Sequence, residues 1–414
     1  MKNSGIEWIG EIPDNWMVEK LKFHATVNNE KKIGEQLPYI ALENIEGFTG
    51  KLIDTENVYD VNEAIVAEKG DVLFGKLRPY LAKVYCVQNK SYVSSEFAVF
   101  RCNDVSSNFL KWYMLGYGFL DTVNASTCGT KMPRANIDFI SNMPIPVISI
   151  EEQEKIAAHI DSQCSKVDKL IEVQQAQIDK LKEYKQSVIT EAVTKGLDPI
   201  VPMKDVSNWM RRIPCNWFDP KIKYFCSIES GGTPERTHPE YWNGDINWFK
   251  TGELHNDEIF DSEEKITVKA IEETAAKIFP RNAILVAMYG QGKTRGMTAL
   301  LKKESATNQA CAAIQLKTKT YEVNYLWWVL KGAYNSLRER ANGSGQPNLS
   351  VSLISEFEIS LPPLLEQQKI ICYLDDKCAK IDKLIALKQA KIDKLQEYKK
   401  SLIYEYVTGK KEIV

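Results

Sequence analysis

The chain has 414 residues, of which 44% are hydrophobic and 26% charged, and its formal net charge at pH 7 is -2. This length suggests two or three domains, and the hydrophobic content excludes a chain that is disordered throughout. The balance of 53 basic against 55 acidic residues excludes binding to polyanions through overall charge, so any nucleic-acid surface must be local or shared with a partner.

The cysteines and histidines give no sign of a metal site. None of the nine cysteines forms a C-x-x-C pair, and the four histidines stand apart. The first residues, MKNSGIEWIGEIPDNW, lack the apolar region of a signal peptide, and no apolar run approaches the roughly 20 residues of a membrane-spanning helix. We therefore expect a cytoplasmic protein with reduced thiols that contacts no membrane.

The first element is a mixed α/β domain, which we place at residues 1–151. Residues 71–74 predict a buried strand, and residues 109–120 predict a short helix whose aromatic face packs into a core. After the strand comes GKLRPYLAK, whose cations and aromatic ring suit contacts with bases and phosphates. The alternative for this loop is a solvated basic turn. A second candidate loop precedes the long helix, and its alternative is a plain polar connection. The candidates for DNA binding are Lys76, Arg78, Tyr80 and Lys83 in the first loop, and Lys131 and Arg134 in the later one.

A long helix is predicted next, at residues 152–196. A short linker at residues 197–206 follows it and contains two prolines. Apolar residues recur along the helix at alternating spacings of four and three, which is typical of a coiled-coil seam. Two solvated charged helices would be the alternative for this segment and its repeat. The predicted interface positions of this helix are Ile160, Val167, Ile171, Ile178, Leu181 and Val188.

A second α/β domain is predicted at residues 207–362. Its strand at residues 283–286 is followed by AMYGQGKT, which loosely matches a phosphate-binding P-loop. Ala287 replaces the first glycine of that motif, however, and Gly296 falls where the phosphate-binding helix should run. Because the loop occupies the place of GKLRPYLAK in the first half, we favour a second DNA-reading loop. The candidates are Tyr289, Gln291, Lys293 and Arg295, with Ser344, Gln346 and Asn348 in a later polar loop.

The final segment, residues 363–414, repeats the long helix. Residues 152–194 and 366–408 are identical at about 25 of 43 aligned positions. Between the repeated helices the domains diverge, so one duplicated frame carries two different inserts. The predicted interface positions of the second helix are Leu374, Ile381, Ile385, Ile392, Leu395 and Leu402.

These elements predict an α+β fold with an internal repeat: two mixed α/β domains separated by two long helices that form an antiparallel coiled coil. The linker is too short to return along a helix of about 65 Å, at 1.5 Å per residue, and this excludes a parallel pair. We expect a pseudo-two-fold axis to relate the halves. Gln174 and Lys388 interrupt the two seams with polar side chains that could fix their register.

Signatures of catalysis are missing from the sequence. It contains no N-P-P-[YF] motif of amino methylation, no glycine-rich methyl-donor loop that opens a βαβ unit, and no nucleophile elbow. Two different domains on a repeated frame indicate instead a non-catalytic protein, without a cofactor, that recognises two targets.

Over nearly its whole length the chain resembles the specificity subunits of type I restriction-modification systems. The resemblance rests on GDVLFGKLRPYLAK followed by SSEF, on SGGTPERTHPEYWNGDINW, and on PPLLEQQKI before the last helix. It also rests on the start around Trp8, Pro13 and Trp16, which recurs at the start of the second half. The corresponding pre-helix element of the first half, PVISIEEQEKI, keeps only part of the pattern.

This resemblance implies two target recognition domains, each of which reads one half of a bipartite site in double-stranded DNA. The paired helices would set the unread spacer and dock two methylation subunits, and a separate motor-nuclease subunit would carry cleavage. Two alternatives stay open: a coiled-coil scaffold with two protein-binding domains and no DNA role, and a P-loop NTPase.

Overall fold

The computed structural model of the chain describes residues 1–34, 36–53, 63–127, 129, 131–290, 292–319, 321–341 and 348–413. It comprises two compact units, the first formed by Met1–Gln175 with Lys388–Val414 and the second by Ala176–Leu387. Each unit therefore combines one α/β domain with a part of both long helices. We call them the first unit and the second unit.

The two long helices span Ile150–Lys195 and Leu364–Val407. Both carry acidic residues in the first turn, where the partial positive charge of the helix end favours them. Each is followed by a glycine with a left-handed backbone, Gly196 at φ 77° and Gly409 at φ 70°, which is a common way for a helix to end. All the positions predicted to line the coiled-coil interface are buried or half-buried.

Within the first unit the two helix segments run antiparallel. Lys399 donates a hydrogen bond of 2.6 Å to Asp168. Gln174 follows Asp168 in the first long helix, whereas its partner Lys388 precedes Lys399 in the second. The Oε1 of Gln174 lies 3.5 Å from the Nζ of Lys388. The two polar residues that interrupt the predicted seams therefore face each other.

The helix segments of the second unit are also antiparallel. The ammonium of Lys185 lies 2.7 Å from both carboxylate oxygens of Asp382. Gly196 follows Lys185 in the chain, whereas Glu366 precedes Asp382. A Cβ added at Gly196 would lie 3.1 Å from a carboxylate oxygen of Glu366, so these two residues are also neighbours. The predicted antiparallel coiled coil of two repeated helices is thus confirmed.

The α/β domain of the first unit contains two four-stranded sheets. One is antiparallel, with Val72–Gly75 between Phe97–Cys102 and Val84–Cys86. The other includes one parallel pair, Tyr39–Ile40 with Ser91–Val93. The strands of the first unit are Lys2–Asn3, Glu11–Ile12, Met17–Lys20, Ala25–Asn28, Lys31–Ile33, Tyr39–Ile40, Ile45–Glu46, Lys51–Leu52, Glu63–Ala67, Val72–Gly75, Val84–Cys86, Ser91–Val93, Phe97–Cys102 and Pro144–Val147, and its short helices are Ser107–Leu115, Tyr117–Ala125 and Ile137–Ser141.

The strand Val72–Gly75 is apolar throughout because both of its faces are covered. Successive side chains of a strand point to opposite faces. Val72 and Phe74 accordingly join the large hydrophobic cluster that also contains residues of the long helices, whereas Leu73 joins a separate cluster on the other face. This buried strand confirms the prediction for residues 71–74 and places the loop that follows it at the end of a rigid element.

The α/β domain of the second unit contains a five-stranded and a four-stranded sheet. Its central strand, Ile284–Ala287, pairs antiparallel with Cys311–Leu316 and Thr298–Leu301. The strands of this unit are Met203–Asp205, Arg212–Pro214, Cys226–Ser230, Trp242–Phe249, Glu258–Ile259, Glu264–Ile266, Ile278–Phe279, Ile284–Ala287, Thr298–Leu301, Ser305–Thr307 and Cys311–Leu316, and its short helices are Val268–Glu273, Val323–Gly332, Tyr334–Glu339 and Val351–Ser355.

The two domains share a strand pairing pattern that their sequences do not show. Tyr39 pairs in parallel with Tyr92 in the first domain, and Trp248 pairs in parallel with Ala306 in the second. The central strand of each domain is also flanked by antiparallel neighbours in the same order. The internal repeat therefore extends through the divergent inserts.

A repeated hydrogen bond joins the opening segment of each half to the start of the long helix that follows it. The indole nitrogen of Trp16 donates to Glu152 at 3.1 Å, and that of Trp217 donates to Glu366 at 2.9 Å. Both rings are buried. The tryptophans and glutamates that the two halves share thus have a structural role.

Three further properties concern only the part of the chain that the structure describes. None of its helices is long and apolar enough to cross a membrane. No group of His, Cys, Asp and Glu residues in it is suited to holding a metal ion. Its cysteines are free thiols, most of them buried, and burial raises the pKa of Cys164 and Cys226 to about 12.

Candidate nucleic-acid interface

In both domains the loop that we predict to read DNA follows the central strand. Gly75 ends the strand of the first domain, and Ala287 ends that of the second. Each loop therefore starts from a backbone that is fixed by two neighbouring strands. This gives the loop a defined position, which specific contacts to bases require.

The two candidate loops of the first half lie against each other. Arg78 donates its backbone N–H to Pro133 at 2.8 Å, and Ala135 donates to Lys76 at 2.9 Å. Leu77 and Arg134 form an isolated antiparallel bridge. The loop of residues 76–83 and the loop of residues 131–134, which the sequence suggests separately, are therefore one surface.

Glu96 joins this surface through a charged contact. Its carboxylate accepts a hydrogen bond of 2.5 Å from Arg134, and its backbone carbonyl accepts one from the N–H of Lys76. Burial lowers the pKa of the Lys76 ammonium, Glu96 opposes this shift, and Arg134 adds to it. Glu96 thus fixes the position of one candidate cation next to another.

The candidate side chains of the first half differ in their exposure. Arg78, Tyr80, Lys131 and Arg134 are exposed, so they are open to a ligand. Arg78 has a left-handed backbone, with φ 51° and ψ 62°, at the start of a short helical turn. Lys83 is different, because its ammonium donates to the backbone carbonyls of residues 42 and 45 at 2.7 and 2.9 Å. In this conformation it supports the loop.

The candidate loop of the second half is a connection between two antiparallel strands. It joins Ile284–Ala287 to Thr298–Leu301, and Gly296 donates its N–H back to Ala287 at 2.8 Å. A P-loop leads instead from a strand into a helix, whose first amides hold the phosphate. The geometry therefore contradicts the P-loop alternative.

Several candidates of the second half have a described position. Tyr289 and Lys293 are exposed, and Arg295 and Asn348 are half-buried. Leu349 donates its N–H to Met288 at 3.0 Å, which repeats the bond between Ala135 and Lys76 in the first half. Three candidates lie outside the residues that the structure describes: Gln291, Ser344 and Gln346.

Comparison with protein families gives this paired arrangement a context. The sequence matches the family described as "Type I restriction modification DNA specificity domain" twice, at residues 14–183 and 214–397. The chain belongs to this family. The two matches correspond to the two copies of the internal repeat, and together they include nearly all the candidate residues.

The chain is also similar to individual proteins that are named as specificity subunits. It is 35% identical over 173 residues to the type I restriction enzyme MjaIX specificity subunit of Methanocaldococcus jannaschii, a match that spans 40% of this chain and only 39% of that relative. It is 22% identical to the MjaVIII specificity subunit of the same organism, over 96% of this chain and 93% of that one.

Solved structures of type I systems share the fold of this specificity-family chain. One chain, from work described as "Structural basis underlying complex assembly and conformational transition of the type I R-M system", has a TM-score of 0.76 at 18% identity, over 96% of this chain and 98% of that chain. The HsdS subunit from Thermoanaerobacter tengcongensis has a TM-score of 0.52 at 17% identity, with the same coverage. These similarities confirm the fold class predicted from the sequence.

Two residues outside the loop of the second half support it, and the sequence gives no sign of them. Tyr334 and Arg338, on the helix Tyr334–Glu339, donate hydrogen bonds to backbone carbonyls of residues 292, 293 and 295. They lie more than 40 positions away in the chain, with separations of 41 to 46 residues. Because a backbone carbonyl is present at every residue, no pattern of side chains could have indicated this contact.

Proposed function

We propose that this chain is the DNA specificity subunit of a type I restriction-modification complex, in which each α/β domain reads one half of a bipartite target. One observation carries this proposal: in both domains the residue that follows the central strand, Lys76 or Met288, accepts the same backbone bond, from Ala135 or Leu349, but the side chains of the two loops differ. Equal placement suits a common task, and different side chains suit different base sequences.

In the first domain the exposed groups are cationic and aromatic. Arginine can make two hydrogen bonds to a guanine edge, and lysine neutralises phosphate. Arg78 and Arg134 are the exposed arginines of this surface, and the carboxylate of Glu96 orients the second of them. We propose Arg78 as a base contact, and Lys131 and Arg134 as contacts to bases or phosphates.

We further propose that the long helices set the spacer between the half-sites and dock two methylation subunits. Support for the docking comes from exposed apolar side chains that occur at equivalent positions of both helices. Leu170 and Leu384 are 47% and 48% exposed, and Tyr184 and Tyr398 are 48% and 52% exposed. Val173 and Leu387 form a third such pair. Two copies of one partner would meet the same features twice.

The chain itself would carry no catalytic step. Methyl transfer would belong to the docked methylation subunits, and DNA translocation and cleavage to a motor-nuclease subunit. The near-zero net charge supports this division, because partners that clamp the duplex would supply the remaining contacts to phosphates.

The test is a selection of bound sites from random double-stranded DNA by the complex of this chain with its methylation subunit. We expect a bipartite sequence with a fixed spacer. Replacing residues 25–125 by the same region of a family member with a different target should change one half of the selected site only. The matched control replaces residues 226–340 and should change only the other half.

Two results would contradict this function. A complex that selects no sequence, or a replacement that leaves both half-sites unchanged, would favour the coiled-coil scaffold without a DNA role.

A further inference from the structure

The loop of the second domain is held from outside by one short helix. Arg338 donates through Nη1 to the carbonyl of Arg295 at 2.7 Å and through Nη2 to the carbonyl of Gly292 at 2.8 Å. Tyr334, one turn earlier on the same helix, donates its hydroxyl to the carbonyl of Lys293 at 2.7 Å. Two side chains therefore bind three carbonyls within a span of four residues.

These contacts are mutually supported. Nη1 of Arg338 also lies 3.1 Å from the hydroxyl oxygen of Tyr334, and the guanidinium carbon lies 5.2 Å from the centre of the tyrosine ring. Leu337, between them in sequence, is 1% exposed and belongs to the main hydrophobic cluster of the second unit. The helix that carries both donors is thus anchored in the core, and the donors have a fixed origin.

The loop needs such support because its backbone is unusual. Gly292 and Gly296 have left-handed backbones with φ 59° and 84°. Glycine has little conformational preference of its own, so a loop rich in glycine takes a single shape only when outside contacts select it. At Gly296 an added Cβ would lie 3.2 Å from Cγ of Arg338, which shows how closely the loop and the helix approach.

We propose that Arg338, assisted by Tyr334, is a positioning residue that fixes residues 292–296 of the loop in the shape with which the second domain recognises its half-site. This inference rests on the proposed function. The guanidinium of Arg338 is directed at backbone carbonyls, whereas the side chain of Lys293 in the same loop is exposed. Arg338 therefore acts through the loop and is not itself a contact to DNA.

The proposal applies to one half-site only. In the first domain the corresponding loop is held by backbone bonds to Pro133 and Ala135 and by the ion pair of Arg134 with Glu96. The hydrogen bonds and the ring contact of Arg338 described above are made with residues of the second unit. Loss of Arg338 should thus separate the two half-sites in their response.

The experiment measures binding of the complex with its methylation subunit to the selected site and to variants with single base changes in each half. Arg338→Lys keeps the positive charge but loses the planar fork that binds two carbonyls together. We expect discrimination in the second half-site to fall about tenfold or more, the range for loss of one good base contact. Discrimination in the first half-site and the salt dependence of binding should stay as in the wild type.

Tyr334→Phe removes one of the three bonds and should lower discrimination in the second half-site by a smaller factor. It keeps the inference testable if Arg338→Lys does not fold. The matched control is Arg340→Lys, two residues further on, whose guanidinium pairs with Glu358 and not with the loop. It should leave both half-sites unchanged.

Three outcomes would overturn the inference. Unchanged discrimination in Arg338→Lys would mean that the loop keeps its shape without the fork. A uniform loss on all sequences with a weaker salt dependence would mark Arg338 as a phosphate contact. An equal loss in both half-sites with lower thermal stability would mark a general structural role. If the wild-type complex selected no bipartite site at all, the proposed function itself would fail, and this result is distinct from the other three.

Discussion

Lys331 carries a positive charge into the interior of the second unit. Its ammonium lies 3.2 Å from the centre of the Trp327 ring and 4.4 Å from that of Trp328. Burial, assisted by the nearby charge of Lys185, lowers the pKa of Lys331 to about 8. The aromatic rings favour the cation, but they do not replace the water that it loses on folding.

This depressed pKa predicts a pH dependence of stability. The folded protein releases the proton of Lys331 near pH 8, whereas the unfolded chain releases it near the ordinary value of 10.5. The cost of the buried charge is therefore fully present below pH 8 and disappears as the pH rises towards 10.5. The wild type should therefore gain stability over this range, whereas Lys331→Met should not. We expect the free energy of unfolding of Lys331→Met, relative to that of the wild type, to fall by on the order of 2 to 3 kcal/mol.

Urea unfolding of both proteins between pH 7 and pH 10.5 measures this difference. The comparison cancels the titration of other groups, which the two proteins share. Lys319→Met, at an exposed position of the same unit, is the control and should show no such trend. A constant difference between Lys331→Met and the wild type would contradict the prediction.

Gln367 is a buried amide that joins the start of the second long helix to the domain. It is 0% exposed, accepts a hydrogen bond of 2.9 Å from the backbone of Glu322 and donates one of 2.9 Å to Pro362. Gln367→Ala would leave buried polar groups without partners, and we expect the free energy of unfolding to fall by about 1 to 3 kcal/mol. Thermal or urea unfolding measures it. Gln368→Ala, at an exposed position, is the control, and an equal effect of both variants would contradict the role of the buried amide.

The exposed apolar side chains of the long helices make the docking proposal testable. Leu170→Glu should remove one of two methylation subunits, Leu384→Glu the other, and the double variant both, because a buried charge without a partner is costly at an interface. The stoichiometry follows from the mass of the purified complex. Lys169→Glu is a control at a neighbouring exposed position. Two bound subunits in the double variant would contradict docking at these residues.

The length of the long helices can be changed without disturbing their seams. Deleting residues 176–182 together with residues 385–391 removes seven residues, one coiled-coil heptad, from each helix and preserves the phase of both seams. Seven residues correspond to about 10 Å of helix, which is about three base pairs of DNA. We expect the selected spacer to shorten by about this amount.

Selection from random DNA measures the new spacer. Deleting three residues from each helix breaks the phase of the seams and should abolish assembly. An unchanged spacer with intact binding would contradict the idea that the helices measure distance.

The existence of two long paired helices could be predicted from the sequence, whereas the pairing of the strands could not. The spacing of apolar residues is a local signal that indicates both helices, which the structure places at Ile150–Lys195 and Leu364–Val407. The parallel pairing of Tyr39 with Tyr92 instead depends on where the chain returns after some 50 residues. Nothing in either strand specifies that partner.

The candidate site shows the same division. The exposed cations could be predicted, because residue type and a turn sequence indicate them. The joining of two loops by the bond from Arg78 to Pro133, and the support of the second loop by Arg338, could not. These contacts use backbone carbonyls, which have no signature in the sequence.

The two units differ in which parts of the chain form their hydrophobic clusters. The main hydrophobic cluster of the second unit lies entirely within Ala176–Leu387. The corresponding cluster of the first unit includes Leu402, Ile403, Tyr406 and Val407 from the end of the chain. The first unit is therefore incomplete without residues from both ends of the sequence.

This difference predicts the behaviour of fragments. Residues 176–387 alone should unfold cooperatively in urea. Residues 1–175 alone should not, because each buried apolar side chain from the end of the chain contributes about 1.5 to 3 kcal/mol, and their sum is comparable to the whole stability of a domain. Adding a peptide of residues 388–414 should restore cooperative unfolding, as followed by tryptophan fluorescence. Independent folding of residues 1–175 would contradict the prediction.

The shared origin of the first unit also sets an order of events on the ribosome. Translation delivers residues 1–175 before residues 176–387, but the core of the first unit also needs Leu402 to Val407, which are made after the second unit. The second unit has its full sequence earlier, so it can become compact before the first. The domain that is made first is thus the last to be completed.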